Sequence, residues 1–332
     1  MLDFNTNHKA LLLTVFGVFA VLSIGVAIIP AFQMEGYEPL PEQEELTDTE
    51  LKGLNVYISE GCVACHTQQV RNIEMDAMWG DRPSIPEDYV YSKQRLDIWR
   101  QSASLLGSER TGPDLTNVGV RQPGAAWQML HLYNPRAVSE KSIMPSFPWL
   151  FEEVDSTRVR EDDVVVAVPS QFLDNPNKKI VASEEAKQLV AYLQTLKQHK
   201  MPENSAPDFI PFSKIKEATV GRSASASKGL DGKKLFKNNC AACHQDNGKG
   251  VPGAFPPLAG SETVNNEDSE KMIRIILEGY NEMEGYGPMQ AFADQLTDAE
   301  IAAIMNYERN SWGNEAPEVT EEDVRKVRDS KL

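Results

Sequence analysis

The sequence has few cysteines and histidines, and it has no excess of positive charge. Its 332 residues include four cysteines and five histidines, and 49 acidic residues outnumber 33 basic ones, giving a formal net charge of −16. Nucleic-acid binding needs a basic surface that neutralises phosphates, so this balance argues against a nucleic-acid partner. An acidic surface suits a basic protein partner, because opposite fields steer the encounter.

Charged residues are absent from one stretch near the N-terminus, ALLLTVFGVFAVLSIGVAIIPAF at 10–32. As a helix rising about 1.5 Å per residue, this run spans roughly 35 Å and crosses a hydrocarbon core of about 30 Å with some tilt. A cleaved signal peptide has a shorter apolar core and a small-x-small cleavage site. This run is longer and lacks that site, so the sequence predicts a transmembrane anchor over 1–35.

All the cysteines lie in two copies of one pattern, Cys-x-x-Cys-His, which leaves none for a structural disulfide. The first copy is in EGCVACHTQQVR and the second follows 178 positions later; the residues are Cys62, Cys65 and His66, then Cys240, Cys243 and His244. In c-type haem two cysteine sulfurs form thioethers and the next histidine binds iron. A thioredoxin-like site would need a βαβ context, and a zinc site would need further ligands. The pattern predicts two covalently bound haem c groups.

The sixth iron ligand separates an electron carrier from a haem enzyme, because methionine saturates the iron and an open position admits substrate. Candidates in the first domain are Met75, Met78, Met129, Met144 and His131. We favour Met144, in SIMPSFPWL, since a proline-bounded loop holds a sulfur at a fixed height. Candidates in the second domain are Met272, Met283, Met289 and Met305. We favour Met289, in YGPMQAF, and expect Met272 and Met305 to be core residues because of their helical spacing among isoleucines.

Two proline-containing stretches lie between the predicted ligands, RTGPDL at 110–115 and FPPL at 255–258. A proline carbonyl there would accept the N–H of the iron-binding imidazole, and the candidates are Pro113 and Pro257. Simple turns are the alternative. Arg71 either pairs with a haem propionate or is a solvated surface arginine.

The fold class is predicted as mainly α, with two soluble domains that each run from a helix through the motif and an irregular middle to a closing helix. The predicted order is an anchor at 1–35, a first domain at 36–200, a linker at 201–227, a second domain at 228–315 and a charged, mobile tail at 316–332. Gly53 and Gly232 precede the two motifs. A glycine at this place would let a crossing helix approach closely.

The anchor and the stretches EGCVACHTQQVR, RTGPDLTNVGVR, HLYNPRAV and SIMPSFPWL together resemble the mono-haem FixO/CcoO subunits of cbb3-type cytochrome c oxidases. The resemblance covers about residues 10–200. It implies Cys62 and Cys65 as attachment sites, His66 as the proximal ligand and Met144 as the distal one. It also implies docking on a membrane subunit with haem b and a haem–copper oxygen site. Two features depart from the family: a longer segment at 72–107, and an added domain that resembles a class I cytochrome c.

The expected function is that of a dihaem electron-transfer subunit that is not an enzyme on its own. A soluble or membrane-bound cytochrome c donor would reduce the second haem, which passes electrons through the first to the haem–copper catalytic subunit. Haem c is attached outside the cytoplasm, so both domains are expected on the periplasmic side of the inner membrane behind a single span. The alternatives are a subunit of a nitric oxide reductase-like complex and a dihaem peroxidase.

Overall fold

A computed structural model describes residues 4, 6–91, 105–173, 175–202, 205–211, 230–281, 283, 286–293 and 295–330. Contacts divide the chain into two units. The first comprises Met1–Glu45, Val70–Leu105 and Gln198–Ile210; the second comprises Leu46–Gln69, Leu106–Lys197 and Pro211–Leu332 and contains both motifs. Most of the predicted linker 201–227 lies outside the described residues.

The apolar run near the N-terminus is helical throughout. Helix α1, His8–Ser23, is capped by the side chain of Asn7 and continues through a π-helical turn, Ile24–Ile28, into α2, Ile29–Glu35. The π turn ends just before Pro30, which has no N–H to donate to a preceding carbonyl. No residue of α1 is buried. Among the described residues, His8–Gln33 is the one helix long and apolar enough to cross a membrane.

Ion pairs organise the rest of the first unit, including the described part of the segment 72–107. Short 3₁₀ helices form at Glu74–Met78 and Pro86–Tyr89. The Arg82 guanidinium pairs with Asp88 at 2.6 Å, and both side chains are almost fully buried. Arginine suits such a site because its planar fork matches a carboxylate at two points. Residues 92–104 of this segment lie outside the described ranges.

The first haem domain is built on two crossing helices, α3, Asp48–Ser59, and α6, Glu184–Thr195. α3 begins at a capping box on Thr47, and the side chain of Ser183 caps the N-terminus of α6. A Cβ placed on Gly53 would lie 1.9 Å from the Gln188 carbonyl oxygen, which no side chain tolerates. The glycine prediction is therefore confirmed here.

Between these helices lie α4, Val118–Arg121, α5, Ala125–Tyr133, and a small antiparallel sheet. Its strands are β1, Phe151–Asp155, β2, Val165–Val166, and β3, Lys178–Ala182, in the order β1-β3-β2. Phe151 pairs with Ala182, and Val165 pairs with Val181. The inward face of the sheet adds buried apolar side chains such as Ile180 to the core.

The second haem domain repeats the crossing arrangement with α7, Gly232–Asn239, and α11, Asp298–Arg309. A Cβ on Gly232 would lie 2.1 Å from the Ala303 carbonyl oxygen, so this glycine prediction is also confirmed. Three shorter helices come between them: α8, Ala241–His244, α9, Glu262–Asn265, and α10, Glu270–Glu278. Met272 and Met305 are 4% and 0% exposed within this core, which confirms their prediction as packing residues.

The charged tail forms a packed helix where the structure describes it, which the prediction of a mobile segment at 316–332 did not anticipate. Helix α12, Glu321–Asp329, begins at a capping box formed by Thr320 and Asp323. Val324 on this helix is fully buried in the core of the second domain. Arg328 pairs with Asp298 at 2.7 Å. The segment is highly charged overall, so its one apolar stripe at helical spacing was not recognised in the sequence.

Candidate haem-binding sites

The first motif sits on a tight turn directly after α3. Gly61 has a φ of +69°, which a glycine adopts without strain, and a 3₁₀ turn follows at Cys62–Ala64. The amides of Cys65 and His66 both donate to the Cys62 carbonyl, at 3.2 and 2.9 Å. The turn therefore holds the two cysteines and the histidine in one compact group.

The His66 imidazole is held from one side by the RTGPDL stretch. Its Nδ1 lies 2.7 Å from the carbonyl oxygen of Pro113, as predicted. With the proton on Nδ1, the ring donates this bond and presents Nε2 as a metal ligand. Burial lowers the pKa of His66, which favours the neutral imidazole that coordinates metal.

Close packing against the same ring explains the glycine of that stretch. A Cβ on Gly112 would lie 2.2 Å from His66 Cε1 and 2.7 Å from each ring nitrogen. Any side chain at 112 would therefore displace the imidazole. The main chain can lie flat against the ring because position 112 is glycine.

Asp114 ties this stretch to the motif, and the sequence analysis did not identify it. Its buried carboxylate accepts hydrogen bonds from the Gln69 amide at 2.8 Å and the Thr116 amide at 2.9 Å. It also accepts from the Thr67 hydroxyl. A carboxylate next to Gly-Pro in a predicted loop was the available signal, since buried carboxylates need several donors.

The second motif begins where α7 ends and continues into α8. The His244 amide donates to the Cys240 carbonyl at 2.9 Å, and the imidazole is buried. Nδ1 of His244 lies 2.9 Å from the carbonyl oxygen of Pro256. The predicted acceptor, Pro257, was off by one residue. Carbonyls of successive residues in extended chain point in opposite directions, so the sequence FPPL alone did not identify which proline faces the ring.

Four of the five predicted site residues of the second domain line one cleft, and Pro257 does not. Cys240, Cys243, His244 and Met289 line it together with apolar side chains such as Phe255 and Phe292. Cofactor pockets typically have apolar walls and a few polar groups. The donor set and the apolar lining fit a covalently attached haem.

The main chain holds Met289 firmly at the edge of this cleft. Its amide donates to the Tyr280 carbonyl at 2.7 Å and its carbonyl accepts from the Tyr280 amide at 2.9 Å. Gly279, with a φ of +79°, brings the chain so close that a Cβ there would lie 2.6 Å from the Met289 carbonyl oxygen. Binding of iron by Met289 remains a prediction that this arrangement supports.

The Met144 loop is held by Arg136, another residue that the sequence analysis did not single out. The guanidinium donates to the carbonyls of Ser142 and Met144 at 3.2 and 3.0 Å and to the Ser146 hydroxyl at 2.7 Å. Of the rival candidates, Met129 is buried in the core, whereas Met75 and Met78 are largely exposed. Met144 as the distal ligand remains a prediction.

Comparison with known families agrees with this architecture. The family model described as "Cytochrome C oxidase, mono-heme subunit/FixO" matches residues 4–208, which is more than half of the chain. The chain belongs to the FixO family. A second model, "Cytochrome c", matches residues 230–312. This FixO-family chain is therefore a cytochrome c-type electron-transfer subunit with a FixO domain and a further cytochrome c domain, and domains of this kind hold haem c covalently.

Individual relatives match over about the length of one cytochrome domain. Cytochrome c-552 of Thermus thermophilus is 42% identical over 117 residues, covering 31% of this chain and 87% of the relative. The cytochrome c subunit of a quinone-dependent alcohol dehydrogenase of Gluconobacter oxydans (strain 621H) is 35% identical over 107 residues, covering 30% of this chain and 22% of the relative. The cbb3-type cytochrome c oxidase subunit CcoP of Azospirillum sp. (strain B510) is 30% identical over 99 residues, covering 28% of this chain and 32% of the relative.

Two of the attachment cysteines in this FixO-family chain lack the lowered pKa of a redox thiol. Burial raises the pKa of Cys62 to about 12, with a smaller contribution from Glu60, and burial raises the pKa of Cys243 to about 12. Reactive redox thiols instead have lowered pKa values. Within the described ranges, no three His, Cys, Asp or Glu side chains are grouped as a metal site of the zinc type would require.

Arg71 has a protein partner that neither sequence interpretation anticipated. Its guanidinium bonds Asp76 at two points, with Nη2–Oδ1 at 2.9 Å and Nε–Oδ2 at 3.1 Å. Asp76 is fully buried, so this ion pair fixes the arginine side chain. The arginine side chain is still 51% exposed, so the interpretation as a surface arginine agrees with the structure, and pairing with a haem propionate stays a prediction.

Proposed function

We propose that this chain is a membrane-anchored subunit with two haem c groups that delivers electrons to the catalytic subunit of a cbb3-type oxidase. The observation that carries the proposal is the repeated site: each Cys-x-x-Cys-His histidine has its Nδ1 on a proline carbonyl, at 2.7 Å in the first domain and 2.9 Å in the second. The FixO match and the CcoP relative support the oxidase assignment.

Each haem would supply one-electron iron chemistry, and the chain would supply attachment, ligation and electrostatics. Cys62 and Cys65 would hold the first group, with His66 as its axial ligand. Cys240, Cys243 and His244 would do the same for the second. The proline carbonyls keep each ring in the tautomer with Nε2 unprotonated and raise its basicity as a ligand.

Met144 and Met289 would complete the two coordination spheres. A histidine–methionine pair saturates the iron and raises its reduction potential, which suits electron transfer. It also leaves no open position for oxygen or peroxide. The chain would therefore not be an enzyme on its own.

The proposed route runs from a soluble or membrane-bound cytochrome c to the second haem, then to the first, and then to the haem–copper subunit. The helix His8–Gln33 would anchor the chain as a single span in the inner membrane. Both domains would lie on the periplasmic side, where haem c is attached. The net charge of −16 would steer a basic donor toward the chain.

Purification from native membranes, followed by haem, metal and subunit analysis, tests this proposal. We expect two haem c groups per chain and a copper-containing membrane partner. A partner with non-haem iron would instead identify a nitric oxide reductase-like complex. Near-infrared spectra should show a sulfur–iron charge-transfer band from both haems, and a high-spin signal from one haem would indicate a peroxidase.

A further inference from the structure

The cleft of the second haem site is not formed by the second domain alone. One wall comes from the first domain, from the stretch that leads from α4 into α5. The contributing residues are Gln122, Pro123, Gly124, Ala126 and Trp127. These residues and the second motif belong to the same compact unit of the chain.

Small residues allow the two domains to pack closely beside this cleft. A Cβ on Gly287 would lie 3.6 Å from the Cβ atoms of Ala126 and Ala167. A Cβ on Gly253 would lie 3.6 Å from Cα of Pro169. These are ordinary van der Waals separations, so the contact is packed without a layer of solvent at these points.

Trp127 makes a directed contact across the domain boundary. Its indole Nε1–H donates to the carbonyl oxygen of Ala242 at 3.0 Å. Ala242 lies between the two attachment cysteines of the second motif. The indole is therefore hydrogen-bonded to the segment of main chain between the two cysteines that are predicted to form thioether links.

Trp127 is also supported from within its own helix. It stacks on His131, one turn further along α5, with ring centroids 4.6 Å apart and planes inclined by 11°. This stacking holds the indole in the orientation that reaches Ala242.

We propose that Trp127, supported by His131, docks the second haem domain onto the first and so fixes the separation across which an electron passes between the haems. This inference rests on the proposed function in one respect, the presence of both haems. With both haems bound, the second would give up one electron and the first would accept it. Trp127 and His131 would end unchanged and no proton would move. Domains joined in one chain move relative to each other by default, so a specific contact is needed to hold this geometry.

The test uses the full-length haem-loaded chain and three variants. Trp127→Phe keeps a ring that can stack but removes the N–H donor, and Trp127→Leu removes both. The matched control is Trp149→Phe, because Trp149 is also in the first domain and donates to Glu60 at 3.1 Å, but is 60% exposed and lies outside this contact.

Stopped-flow reduction by a cytochrome c donor gives the first readout. The phase whose rate does not depend on donor concentration reports transfer between the haems. We expect Trp127→Phe to slow this phase roughly two- to tenfold, the change in docked population that follows from losing one hydrogen bond. Trp127→Leu should slow it further, and Trp149→Phe should leave it unchanged.

Amide hydrogen exchange over 122–133 and 240–244 gives a second readout that does not depend on electron transfer. Exchange should rise in both Trp127 variants and not in Trp149→Phe. A wild-type rate in Trp127→Leu, or equal slowing by Trp149→Phe, would overturn the inference. Should Trp127→Leu lose haem, the more conservative Phe variant decides alone. Haem stoichiometry and the metal of the partner are measured before any variant, so failure of the proposed function is seen separately.

Discussion

Replacing Gly112 by alanine tests the architecture of the first haem site most directly. The added methyl group would lie 2.2 Å from His66 Cε1. An ordinary contact is at least 3.4 Å, so the ring or the loop must shift by about 1.2 Å, the difference between the two distances. Gly112 is not among the glycines with a positive φ, so the main-chain conformation itself is open to alanine.

A shift of this size is expected to break the hydrogen bond between His66 and Pro113, which is 2.7 Å long. Contacts beyond about 3.6 Å are no longer hydrogen bonds. Leaving a buried donor unpaired costs about 1–3 kcal/mol, and overpacking costs about 1–3 kcal/mol. The imidazole can move away from the methyl group or keep its hydrogen bond to Pro113, so the two costs do not add in full. We expect the free energy of unfolding to fall by about 2–4 kcal/mol.

Denaturant unfolding of the haem-loaded chain, followed by haem absorbance, measures this loss. Gly17→Ala is the matched control, because a Cβ at that helical position meets no atom within 4 Å. We expect Gly17→Ala to match the wild type. An unfolding midpoint and haem spectrum unchanged in Gly112→Ala would refute the placement of the ring against this glycine.

Three further predictions concern single side chains. Burial raises the pKa of Glu308 to about 8, above its ordinary value of 4.5. Between these two pH values the unfolded chain has lost the proton that the folded chain still holds, so the free energy of unfolding falls as pH rises from about 4.5 to 8. Glu308→Gln should remove up to about 1.4 kcal/mol per pH unit of that slope in unfolding measured across this range, and an identical slope would contradict it. Arg136→Ala removes the hydrogen bonds that hold the Met144 loop, so the sulfur–iron band assigned to the first haem should weaken while that of the second persists; equal bands would count against Arg136 as a positioning residue. Val324→Asp buries an uncompensated charge in the second domain and should cost about 3–5 kcal/mol, whereas an unchanged unfolding midpoint would mean that α12 does not stay docked.

Interpretation of the sequence succeeded where the signal is local. The motif Cys-x-x-Cys-His occupies about one turn, so its geometry depends little on the rest of the chain. The capping boxes at Thr47 and Thr297 are also local, because each joins residues three positions apart. Gly53 and Gly232 were identified by their equivalent positions before the two motifs.

Prediction failed where a partner comes from elsewhere in the chain. The acceptor for His244 is Pro256 rather than Pro257, because the direction of a carbonyl depends on how the loop folds back. Arg71 pairs with Asp76, five positions further along the chain. Nothing in the sequence distinguished this aspartate from an ordinary acidic surface residue. The tail was expected to be mobile, yet Val324 is buried because the second domain offers an apolar groove.

The sequence by itself determined the haem-attachment chemistry, the membrane-length helix and the two-domain plan, because covalent motifs and apolar runs act over a few turns of chain. The tertiary structure alone decided which proline carbonyl holds His244, how Arg136 holds the Met144 loop and that Trp127 meets Ala242. Those contacts join residues that are distant in the chain or whose direction depends on loop closure. These contacts therefore form only through the packing of the whole unit.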